Sequence, residues 1–292
     1  MKHSLLITLL LVVIFLAAQF VGLLVTERYV DHEGSKEGIL AWKPLPSVAG
    51  VSMARPDIAP KMSFLYILGA ILIGTVFILL IIYWGKVWLW KLWFFFAIAV
   101  CLYIAFGAFV PPWLALLLAI ALSYFKAYRH NFIVHNFSEI FVYGGLAVIF
   151  VPILTVWVAV VLMILLSFYD AYSVWKSKHM IAMAKFQTSA GVFAGLQIPY
   201  KFPSWKKKAG QKLVQVKTAI LGGGDIGFPL LFAGAVLKEF GFAKACIIPP
   251  FAALALLGLL LFSKKKHFYP AIPFLTVGCL VGLFVVWIIG LI

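Results

Sequence analysis

Residues 218–237 read TAILGGGDIGFPLLFAGAVL. A helix needs about 20 apolar residues to cross ~30 Å of hydrocarbon, so the stretch has the length and character of a membrane span. It nevertheless carries three consecutive glycines and an aspartate, Asp225. A carboxylate at the centre of a span costs ~2.5–3.5 kcal/mol on insertion scales, and a glycine weakens a helix by about 1 kcal/mol relative to alanine. The explanation for Asp225 therefore has to come from the rest of the chain.

The 292 residues are 65% hydrophobic and 11% charged, which excludes a soluble domain with a water-facing shell. Long uncharged runs recur from end to end and predict an all-α, polytopic membrane protein with nine spans. The clearer spans are 4–26, 62–85, 92–110, 111–128, 218–237, 241–262 and 268–292. The uncharged run from Ile140 to Tyr169 is too long for one helix and contains Pro152; dividing it there predicts spans near 131–150 and 151–175. The first span has the charge pattern of a secretory signal but a longer apolar core, and reads as retained.

Basic residues concentrate in cytoplasmic loops, which tests the count independently. With the N-terminus inside, 17 of the 24 Lys and Arg fall on the cytoplasmic side, among them Lys126, Arg129, nine lysines between Lys176 and Lys217, and Lys264 to Lys266. The C-terminus is then extracytoplasmic. The long loops are 27–61 outside and 176–217 inside, and the second divides an N-terminal six-helix part, 1–175, from a C-terminal three-helix part, 218–292. The net charge of +15 flanks spans and is not organised on a soluble domain, so the bilayer's anionic headgroups fit it as a partner and nucleic acid does not. The basic run SWKKKAGQK reads as a solvated juxtamembrane loop, a phosphoinositide or protein site being the other reading. Cys101, Cys246 and Cys279 fall one to a span and the histidines show no ligand spacing, so neither a disulfide framework, a metal nor a cofactor is implied.

Of nine acidic residues, five lie in the first external loop, Glu239 lies between spans, and Glu139 sits near a span end where it can reach the interface. Only Asp170, in LLSFYDAYSVW, and Asp225 stand well inside apolar sequence. Counted from the cytoplasmic ends of their spans at ~1.5 Å per residue, they lie roughly 8 and 10 Å deep, on helices of opposite direction. Two carboxylates brought together in low dielectric share a proton, so that one can act as general base towards a water and the other as general acid towards a carbonyl oxygen, the requirement of peptide hydrolysis without a covalent intermediate. Two unrelated buried polar residues are the plainer alternative. A hydrolase acting on a helix must hold its substrate as an extended strand, and Gly222, Gly223, Gly224 and Gly227 would let backbone approach there; close helix packing through small residues is the plainer reading of the same glycines.

The chain resembles the presenilin and signal peptide peptidase group of intramembrane aspartyl proteases, whose signatures are Y-D in the sixth span, G-x-G-D in the seventh and P-A-L at the start of the ninth. Here they stand as Tyr169-Asp170, Gly222-Gly223-Gly224-Asp225 and Pro270-Ala271-Ile272, in the expected spans and order. The resemblance implies an integral endopeptidase that cleaves transmembrane segments or remnant signal peptides, with Asp170 and Asp225 as catalytic dyad and the remaining motif residues shaping the site. Ile272 departs from the family leucine. The compact chain and short 176–217 loop are similar to prokaryotic or archaeal homologues, located in the cell membrane and acting without obligatory accessory subunits; self-association is left open. No H-E-x-x-H or G-x-S-G is present for the metallo- or serine chemistries, and the lysine that follows G-x-G-D in prepilin peptidases is missing. A proton-coupled secondary transporter with an intramembrane carboxylate pair is the alternative from another class.

Overall fold

The computed structural model describes residues 4–36, 39–48, 51–59, 62–129, 131–177, 179–200, 218–263 and 269–291. Its helices are α1 (Leu5–Arg28), α2 (Ser63–Trp84), α3 (Val87–Gly107), α4 (Pro112–Tyr128), α5 (Phe132–Phe150), α6 (Val156–Trp175), α7 (His179–Ser189), α8 (Gly223–Phe240), α9 (Phe242–Ala245), α10 (Ile248–Phe262) and α11 (Ile272–Leu291). Among the described residues, six short strands form three antiparallel pairs: β1 (Val30–Lys36) with β2 (Ile39–Trp42), β3 (Ser47–Val48) with β4 (Val51–Ser52), and β5 (Gly195–Pro199) with β6 (Thr218–Gly222).

Local chemistry sets the helix ends. Ser4 Oγ accepts from Ile7 N at 3.5 Å, Asn131 Oδ1 from Ile133 N at 2.9 Å, and Thr155 Oγ1 from Val158 N at 3.3 Å, each satisfying an orphan donor of a first turn. α4 begins on Pro112, whose missing N–H costs nothing at that position. α2 stops at Gly85, where φ is 65° and a side chain would be strained. The division at Pro152 holds: residues Val151–Ile153 make a single 3-10 turn between α5 and α6.

Among the described residues, seven segments are long and apolar enough to cross a membrane, where the sequence reading counts nine. Of the nine expected spans, the two outside that set fall on α4, with 17 residues, and on α8, which carries Asp225, Lys238 and Glu239 among its 18. Asp225 stands in its first turn and Lys238 and Glu239 in its last, Glu239 being exposed, and α8 between them is internal. α1, α5, α6, α10 and α11 pack around it, and Ile226, Gly227 and every residue from Pro229 to Leu237 are buried. Gly234 admits this closeness, since a Cβ there would stand 2.3 Å from Val151 Cγ2. α1 also contributes to the core, with Leu11, Phe15, Ala18 and Leu23 all at 0% exposure.

The all-α expectation needs correcting in three places. The 27–61 loop folds into the two hairpins β1–β2 and β3–β4. The 176–217 segment contains α7 and β5, while 201–217, with the SWKKKAGQK run, lies outside the described residues. Residues 218–222, read as the first turn and a half of a span, are strand β6, because each pairs with β5 instead of with its own next turn. Helical rise therefore does not measure the depth of Asp225.

Candidate active site

Asp170 lies on the inner face of α6, 3% exposed. α6 packs against both α8 and α11, and Ser167 Oγ, one turn earlier, sits 2.8 Å from Thr276 Oγ1 of α11. That places Asp170 at the start of α11, where Ile272 N donates to Asp170 Oδ2 at 3.1 Å and the Ala271 N–H also faces the carboxylate. These are orphan donors of a helix N-terminus, so the end of α11 acts as a ready-made carboxylate site. Pro270 precedes the helix instead of lying two residues inside it, as read from the sequence, and Pro270, Ala271 and Ile272 are all buried. The P-A-I motif thus meets Asp170 through its backbone.

Asp225 is the third residue of α8. Its Oδ2 accepts from Gly222 N at 3.2 Å, the acidic half of a capping box, so this carboxylate too is held at a helix N-terminus. α6 brings Asp170 near enough for the two carboxylates to interact electrostatically. Both aspartates, Gly222 and the 270–272 backbone therefore share one locus where α6, α8 and α11 converge.

The three glycines differ in what demands them. A Cβ on Gly222 would meet only the Asp225 carboxylate, at 3.2 Å, and one on Gly224 only the Phe228 ring, at 3.2 Å. On Gly223 it would stand 2.9 Å from the Tyr143 hydroxyl and 3.3 Å from Ala194 O. Gly223 is therefore the packed position, whereas Gly222 and Gly224 leave space beside Asp225. Tyr169 turns elsewhere: its hydroxyl lies 3.3 Å from Thr75 Oγ1 on α2 and 3.1 Å from His179 Nε2 on α7, tying those helices to α6. Partial burial holds His179 below the ordinary histidine value.

β5 and β6 lead directly into Asp225. Gly195 opens β5 with φ 136°, and a Cβ there would come 2.1 Å from Leu221 O, so glycine is required. The outer edge of β5 is occupied by α5: His135 Nε2 donates to Gly195 O at 2.7 Å, Asn136 Nδ2 donates to Gln197 O at 2.7 Å, and Asn136 Oδ1 accepts from Gln197 N at 3.0 Å. Gln197 faces Ile220 in the register, so with Gln197 bonded outwards, the N–H and C=O of Ile220 also point outwards, along the far edge of β6.

Several contributors were not singled out from the sequence. Gln19 of α1, 0% exposed, donates to Ile226 O at 2.7 Å beside Asp225. Glu139 does not reach an interface, and Lys126 does not lie in a loop. They form a buried ion pair, 1% and 4% exposed, and Tyr143 donates its hydroxyl to the same carboxylate. An acidic residue at i and a tyrosine at i+4 on an apolar helix was the available signal.

Residues 37–292 match the family described as signal-peptide peptidase, presenilin aspartyl protease. The chain belongs to that family and is an intramembrane aspartyl protease by class, which removes the transporter alternative. Two solved structures of a presenilin family intramembrane aspartate protease share its fold. One, in a C222 crystal form, aligns with a TM-score of 0.63 at 18% identity over 97% of this chain and 99% of its own. The other, in a P2 form, gives 0.62 at 17% identity over 96% of each. No curated protein matches the sequence.

Proposed function

We propose that the protein is an endopeptidase that hydrolyses peptide bonds within transmembrane segments or remnant signal peptides, using Asp170 and Asp225 as one acid–base unit. The observation that carries this reading is that both carboxylates are held by backbone N–H groups at helix N-termini, within electrostatic range of each other. Two carboxylates that feel each other's charge in low dielectric retain one proton between them. The ionised partner removes a proton from a water whose oxygen attacks the scissile carbonyl carbon, and the protonated partner donates to the carbonyl oxygen. Collapse of the tetrahedral intermediate breaks the C–N bond as the nitrogen takes a proton, leaving a carboxylic acid, an amine and the dyad with its single proton.

The substrate enters as a strand. A helical peptide has its carbonyls occupied, and the outward N–H and C=O of Ile220 offer an extended segment a partner on the far edge of β6, which among the described residues pairs with no other strand. The edge of β5 is closed by Asn136 and His135, so strand addition has one side available, the side that runs into Gly222 and Asp225. Gly222 and Gly224 leave room for the added backbone, and the buried Pro270 to Ile272 segment shapes the opposite wall. Nine spans in the cell membrane, with a cytoplasmic N-terminus and an extracytoplasmic C-terminus, complete the reading, supported by the 17 of 24 basic residues on one side.

The test is incubation of the purified protein in detergent with a synthetic transmembrane peptide, followed by mass spectrometry. Fragments that mark a cut within the apolar segment, absent with Asp225→Asn, are expected; wild-type protein that leaves every such peptide intact would remove the proposal.

A further inference from the structure

The buried group Lys126, Glu139 and Tyr143 takes no part in the chemistry above, yet it is an expensive thing to keep inside a membrane protein. Lys126 Nζ on α4 donates to Glu139 Oε1 on α5, and Tyr143, one turn along α5, donates its hydroxyl to Glu139 Oε2. The ion-paired side chains are 0% and 2% exposed. Ion pairs buried this deeply rarely stabilise a fold more than apolar side chains of equal volume would, so stability alone is a poor reason for this one. What it does is fix Tyr143. The Glu139 carboxylate anchors the hydroxyl, Lys126 supplies the counter-charge that allows a carboxylate there, and the tyrosine is left with one orientation.

That orientation matters because of what Tyr143 touches. Its hydroxyl lies 2.9 Å from where a Cβ on Gly223 would stand, and its ring Cδ1 3.5 Å from a Cβ on Gly227. The ring thus lies along the first turn of α8 and covers the residues on both sides of Asp225. On its other flank Gly223 N donates to Ala194 O at 3.1 Å, just before β5. The turn bearing Asp225 is seated between these two contacts.

We propose that Lys126, Glu139 and Tyr143 are positioning residues for the proteolytic reaction: a buried charge relay that sets the Gly223 turn and, through it, the Asp225 carboxylate. The proposal rests on the dyad reading. It adds that Gly223 is glycine to receive the Tyr143 hydroxyl, while Gly222 and Gly224 serve the substrate side. Displacement of a reacting group by about 1 Å can cost on the order of 100-fold in rate, so a modest shift of this turn is sufficient to be measured.

Two comparisons on the full-length protein in detergent test it, with kcat and KM on a cleaved transmembrane peptide and thermal unfolding measured for each variant. In the first, Lys126→Met, Glu139→Met and Tyr143→Phe are combined, which removes every polar atom of the relay and leaves none unpaired. Unfolding at or above the wild-type temperature is expected, with KM within about twofold and kcat lower by about tenfold or more. A folded triple variant with wild-type kcat overturns the proposal. In the second, Gly223→Ala alone should lose most activity, and adding Tyr143→Phe, which removes the oxygen the new methyl meets, should return at least about fivefold of it. A double variant no better than Gly223→Ala overturns the proposal even if the triple variant fails to fold. Asp225→Asn is run alongside: if it stays active the dyad reading has failed, whereas a dead Asp225→Asn beside a fully active triple variant defeats the relay alone.

Discussion

Asp170 can be probed so that its chemical and structural roles separate. Its carboxylate is 3% exposed and accepts from Ile272 N at 3.1 Å. Asp170→Asn keeps an oxygen of the same shape in the same place, so the Ile272 N–H stays paired. The loss is the difference between a charged and a neutral acceptor, about 1 kcal/mol, partly offset because no charge remains to be buried. Asp170→Ala removes the acceptor and leaves two buried donors, the N–H groups of Ile272 and Ala271, unpaired at a cost of ~1–3 kcal/mol each, with a small cavity added. Both should abolish cleavage, by about 10,000-fold or more for a residue acting as half of one catalytic unit, and Asp170→Asn/Asp225→Asn should be no worse than either single variant. Peptide cleavage is followed by mass spectrometry and stability by the temperature of thermal unfolding. The expected order of stability is wild type and Asn together, with Ala below them. Cleavage by Asp170→Asn above about one-hundredth of wild type, or an Ala variant as stable as Asn, would refute the reasoning.

Cleavage rate should trace a bell against pH, falling on the acid side as the base is protonated and on the alkaline side as the acid loses its proton; the two apparent values belong to the pair, and a single sigmoid would argue against shared acid–base work. At Gly145 a Cβ would stand 1.9 Å from the Cys101 carbonyl oxygen, so Gly145→Ala must push α3 and α5 apart and should destabilise by about 1–3 kcal/mol or more, measured as a lower unfolding temperature. Ile272→Leu conserves volume and leaves the backbone donor to Asp170 in place, so at least about half of wild-type kcat should remain, whereas Pro270→Ala loosens the approach to α11 and should cost more; equal kcat for the two would detach this segment from the mechanism.

The membrane class, the division of the long uncharged run at Pro152, and Asp170 and Asp225 as carboxylates set among apolar residues were legible in the chain because each is a local contrast: charge within an apolar run, or a proline within a run too long for one helix. Three motifs in register were enough to name the family that residues 37–292 match. What hydropathy could not supply is direction. Lys126 and Glu139 look like interface residues because they stand near span ends, and only the packing of α4 on α5 turns them inward on each other. Residues 218–222 are apolar whether they continue a helix or form a strand, and the outcome depends on β5, which lies more than 20 residues earlier and offers a ladder of backbone partners. Glycine content likewise marked the site without sorting it: Gly223 differs from Gly222 and Gly224 only in what lies 3 Å away, Tyr143 on another helix. Composition and order along the chain determined which segments are apolar enough to cross a membrane and which of them carry charge, since those follow from the transfer of each segment out of water. Which charges meet, and which edge of the β5–β6 pair α5 occupies beside Asp225, was decided by packing between residues distant in sequence.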